Sequence, residues 1–144
     1  MKEEKIGENK NRTVGVVDFV LGTILAISPY TFLKVCEVSE DMVMKCHWTA
    51  QVITGLGIVI ALVGLLAIIA PDIFRSGLIL SEELLGALTI AVPTVLIGVC
   101  GSIHMHCHSV ARPGFVLIGA VLIVVNVVIS FLTIKNNSNK AKEE

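Results

Sequence analysis

The chain has 144 residues, of which 54% are hydrophobic and 16% charged, with a mean hydropathy of +0.84. A soluble domain carries about 25% charged residues, so this composition excludes an ordinary water-soluble fold. The net charge of −1 excludes the basic surface with which proteins engage nucleic acid.

Residues 1–13 are polar, lack an apolar period and are read as a tail. Beyond them lie four apolar runs, Val14–Leu33, Ala50–Ala70, Gly77–Val99 and Pro113–Ile134. Each is close to the ~20 residues that carry a helix across ~30 Å of hydrocarbon. The first run is longer than the apolar part of a secretory signal and no small-residue cleavage site follows it, so it is read as a membrane span. Residues 135–144 form a second polar tail. The predicted class is an all-α membrane protein with four transmembrane helices in a lipid bilayer.

The two halves of the chain repeat each other. Leu21-Gly22, Pro29, Val35 and Cys36 recur 64 residues later as Leu85-Gly86, Pro93, Val99 and Cys100. Met44, Cys46-His47 and Ala50 recur 61 residues later as Met105, Cys107-His108 and Ala111. A repeat constrains the whole fold. This one predicts two tandem hairpins, residues 14–70 and 78–134, joined by a loop over 71–77 and packed about a pseudo-two-fold axis along the membrane normal. Gly15 and Gly22 are seven residues apart, as are Gly57 and Gly64, a spacing that lets helices approach closely. Pro29 and Pro93 each stand seven residues before a cysteine and are expected to kink their helices or to open a polar pocket.

Of the eleven Lys and Arg residues, eight lie in the tails and the 71–77 loop and three in the other two loops. The excess of positive charge places both termini in the cytoplasm of a cell-membrane protein. The loops carrying cysteine and histidine then face outward, where disulfides persist.

Asp18 and Glu82 are also related by the 64-residue offset and are expected near the cytoplasmic interface. Ser81-Glu82-Glu83 reads as a helix start, where acidic side chains are favoured by the helix dipole. Asp18 lies inside an apolar run, where a carboxyl is costly and therefore a candidate for function. Asn126 has no counterpart in the second helix and is expected to hydrogen-bond a neighbouring helix.

All four cysteines and all four histidines fall in the two outward loops. No catalytic set emerges from them, but three chemistries fit. Structural disulfides would close each loop on itself, Cys36 with Cys46 and Cys100 with Cys107, although four cysteines permit three pairings. Thiol–disulfide exchange with a thioredoxin-like partner would use Cys46-His47 and Cys107-His108, without the C-x-x-C that normally lowers a thiol pKa. Zn²⁺ or Cu⁺ would draw on His47, His108, Cys46, Cys107 and His104, with Met44 and Met105 favouring copper. Nine residues separate Cys36 from Cys46 and only six separate Cys100 from Cys107. The larger first loop, with Glu37, Glu40 and Asp41 beside Trp48, is the expected contact surface.

The stretches MKCHWTA at Met44–Ala50 and PTVLIGVC at Pro93–Cys100 resemble a family of small prokaryotic membrane proteins known as a domain of unknown function. The resemblance spans about Val16 to Leu132. It implies a multi-pass bacterial or archaeal protein with cysteines at these four positions, whose gene neighbours ABC transporters with macrolide-exporter-type permeases and sometimes redox or metal-uptake genes. The function expected is a small accessory subunit of a membrane transport or envelope system, with extracytoplasmic redox or metal binding as the alternative.

Overall fold

A computed structural model describes residues 2–34, 45–99, 101 and 107–143. Among them every regular element is helical: α1 (Lys2–Ile27), α2 (Lys45–Ile69), α3 (Asp72–Ala91) and α4 (Arg112–Glu143). Each contains a stretch long and apolar enough to cross a membrane. The backbone is helical from Lys2 and on to Glu143, so the polar ends extend α1 and α4 where sequence composition suggested tails. Lys, Glu and Ala are good helix formers, and adding residues to an existing helix avoids the nucleation cost.

Consecutive helices run antiparallel. Gly15 meets Gly64 and Gly22 meets Gly57, so α1 descends as α2 rises. Gly86 faces Gly119 between α3 and α4. Leu33, just beyond α1, packs on Gly114, and Asp18 meets Asn126, so α4 also lies against α1. The α2–α3 side is closed at one end by Arg75 and at the other by Thr49. The result is a four-helix ring with α1 diagonal to α3.

The apolar core runs through Leu25, Leu33, Ile53, Leu56, Ile60, Val92, Ala111, Phe115 and Leu122. In α2, Cys46, Thr49, Ala50, Ile53, Gly57, Ile60, Gly64 and Ala67 all face inward, at the three- and four-residue spacing of one helix face. The opposite faces expose large apolar side chains such as Ile58, Leu62, Leu66, Leu84, Leu117 and Phe131, as lipid contact requires.

Pro29 and Pro93 end their helices, where the sequence suggested a kink or a polar pocket. Pro29 lies buried in the 3-10 turn Ser28–Tyr30 that terminates α1. A proline has no N–H for the carbonyl four residues back, here Leu25, and the Ser28 hydroxyl donates to that oxygen at 2.8 Å instead. Pro93 is buried in a π-helical turn, Val92–Leu96, at the end of α3. Gly98 then takes φ +74°, a left-handed conformation suited to glycine.

The connection between α2 and α3 is shorter than expected. Pro71 caps α3, which begins at Asp72, and Arg75 folds back, donating from Nε to Ala67 O (3.0 Å) and from Nη2 to Ala70 O (2.8 Å). These bonds satisfy carbonyls that the end of α2 would leave open. Glu82 therefore sits ten residues into α3, and the helix start read at Ser81 is corrected.

Candidate functional site

Two groups of polar residues stand out, one at each end of the bundle. The first is at the loop end. Cys46 opens the inward face of α2 and is fully buried. One turn later the Thr49 hydroxyl donates to Gly98 O at 2.7 Å, tying α2 to the chain that leaves α3. His47 points partly outward, with its Nε2 3.2 Å from Gln51 Nε2 and its ring edge-on to Trp48 at 6.2 Å between centroids. Trp48 itself is 56% exposed.

Cys107 begins a π-helical turn, Cys107–Ala111, that leads into α4, so the second Cys-His pair is again placed at a helix entry. Nδ1 of His108 is buried and has no hydrogen-bond partner among the described residues. Cys36, Cys100 and His104 lie outside the described residues, as do Glu37, Glu40, Asp41, Met44 and Met105. Among the described residues no three His, Cys, Asp or Glu side chains converge as a metal site.

The second group lies toward the end that carries both termini. Asp18 from α1 and Glu82 from α3 are each 1% exposed, and Asn126 from α4 is fully buried. Asn126 Nδ2 donates to Asp18 Oδ1 at 3.0 Å and to Leu122 O at 3.0 Å. The interhelical bond expected of Asn126 is thus made, and its partner is the one acidic residue of α1's apolar run. Asp18 and Glu82 are both buried toward the same end of the bundle, on diagonal helices. Both Glu82 oxygens and Asn126 Oδ1 are buried with no hydrogen-bond partner among the described residues. Beside them, the Ser130 hydroxyl donates to Glu83 Oε1 at 3.5 Å.

The repeat explains this asymmetry. Asp18 and Glu82 are equivalent positions on diagonal helices, and both face the axis between the hairpins. Asp18 finds an amide on α4, whereas α2 offers nothing comparable to Glu82, being wholly apolar from Gly55 to Ile69. The sequence offset identified the pair, and the structure buries both side chains.

Four antiparallel apolar helices, lipid-facing outside and closed on a small buried core, define a multi-pass helical membrane protein. The model of a domain of unknown function, DUF4418, matches residues 18–132, and the chain belongs to that family. Neither the curated proteins nor the solved structures provide a match to it.

Proposed function

We propose that the protein is a small non-enzymatic subunit of the cell membrane, with both termini cytoplasmic and an outward Cys/His face tied by disulfides. The observation that carries this reading is Cys46, which is fully buried at the start of α2. A redox-exchange cysteine must be reached by its partner's thiolate, and a sulfur enclosed in the bundle is better suited to bracing it. Pairing within each loop fits the repeat.

The partner would be a larger membrane protein, an ABC-type transporter being the class the family resemblance suggests. Trp48 supports an outward contact surface, since an exposed indole beside the acidic first loop joins an apolar face to charge. Metal binding is the second reading. It is supported by the unpartnered Nδ1 of His108.

Purification from native membranes after mild crosslinking tests both readings. The accessory reading predicts one reproducible larger membrane partner, retained in His47→Ala and weakened at least about tenfold in Trp48→Ala, within the range of an interface hot spot. Stoichiometric Zn or Cu in a preparation without such a partner, lost in His108→Ala, would support the metal reading instead.

A further inference from the structure

The buried polar group at the terminal end is distinct from the outward face and independent of the function proposed for it. We propose that Asp18, Glu82 and Asn126 form an intramembrane binding site for a small cation, a proton or an alkali-metal ion.

The first argument is the set of atoms. Glu82 presents two carboxylate oxygens and Asn126 its amide oxygen, all buried and all without a donor among the described residues. Asn126 is held in place by the two bonds from its Nδ2, to Asp18 Oδ1 and Leu122 O, which fix its amide orientation. Every free group here is an oxygen acceptor. Oxygen acceptors suit a proton or a hard cation and give no purchase to a soft metal.

The second argument is charge. Two carboxyl groups in an apolar interior are expensive unless something positive stands against them. The elements packed around the site supply little. Within its apolar span α1 contributes Asp18 alone, with Arg12 exposed at the end. Between Gly55 and Ile69 α2 contributes no charged side chain, and from Pro113 to Ile134 α4 contributes none either. In α3, Arg75 donates to Ala67 O in α2 and to Ala70 O just beyond it, Glu83 accepts from Ser130, and no donor among the described residues hydrogen-bonds Glu82. A bound cation supplies the missing positive charge.

The third argument is depth. Asp18, Glu82 and Asn126 all lie in the terminal-side halves of their apolar runs, Val14–Leu33, Gly77–Val99 and Pro113–Ile134. They therefore share the end of the bundle that carries the termini, and each side chain is buried there.

Dicyclohexylcarbodiimide, an apolar carbodiimide that reacts with protonated carboxyl groups inside membranes, tests the proposal on the full chain in phosphatidylcholine vesicles. The adduct is located by peptide mass mapping, with Glu82→Gln as the control that loses it. Labelling of Glu82 that falls at least about tenfold between about pH 5 and about pH 9, unchanged when NaCl or KCl replaces choline chloride, identifies a proton site. Labelling suppressed by NaCl or KCl at constant pH and ionic strength identifies an alkali-metal site. Either result supports the proposal. Failure of Glu82 to label at any pH, or labelling indifferent to both pH and alkali salt, would overturn it.

Discussion

Gly57→Ala is expected to destabilise the protein by about 3 kcal/mol, although it adds only a methyl group. A Cβ on Gly57 would press into the Ala26 backbone N and stand 2.8 Å from both Ala26 Cα and Gly22 O. All three are backbone atoms, so no side chain can rotate away and α1 must move as a body. Moving it would open the facing contacts between Gly15 and Gly64, where an added Cβ would lie 2.7 Å from main-chain atoms on either side. Between membrane helices, close packing is a principal source of association, so the loss falls on the contact that holds the first hairpin. Gly55 is the internal control. It lies two residues earlier in the same helix with nothing within 4 Å of an added Cβ. Gly55→Ala should raise stability by about 0.5–1 kcal/mol through helix propensity alone. Unfolding midpoints in mixed micelles titrated with a denaturing detergent measure both. Equal effects of the two substitutions would mean that α1 and α2 do not pack through these glycines.

Two substitutions in the buried polar group should act in opposite directions. Asn126→Leu removes the donor to Asp18 Oδ1 and leaves a buried carboxyl oxygen without it, a loss of about 1–3 kcal/mol. Glu82→Leu removes a buried carboxyl that makes no hydrogen bond among the described residues, and relief of that desolvation should stabilise the fold by about 1–3 kcal/mol. Natural sequences retain such a destabilising group where it serves function. The same detergent titration gives both values. A Glu82→Leu variant less stable than the parent would show that the carboxyl is a structural element with a partner of its own.

Much of this architecture was legible in the sequence because lipid imposes simple demands. Four apolar runs could only be helices, and the glycine spacing in the first two already marked the faces that meet. The inward stripe from Cys46 through Thr49, Ala50 and Ile53 was not legible, because α2 is apolar nearly all round. Other features depended on competition between local signals. Ser81-Glu82-Glu83 has the composition of a helix start, but nothing before it stops a helix, and the stronger start is Pro71-Asp72. Pro29 and Pro93 could either kink or end a helix, and the outcome rested on whether the chain beyond each proline stayed helical. The equivalence of Asp18 and Glu82 was legible in the repeat, and only packing reveals that both side chains are buried. The Cys/His end was the reverse case. Its cysteines and histidines were conspicuous in the sequence, and Cys46 alone among the cysteines has a described side chain.

A count of free thiols tests the central claim about that face most directly. Native membranes are treated with a membrane-impermeant maleimide, with and without prior reduction, and the intact mass of the protein is read. With two structural disulfides, none of the four cysteines is labelled before reduction and all four are labelled after it. Two or more labels without reductant would contradict this account, because the outward face would then carry reactive thiols beside its histidines.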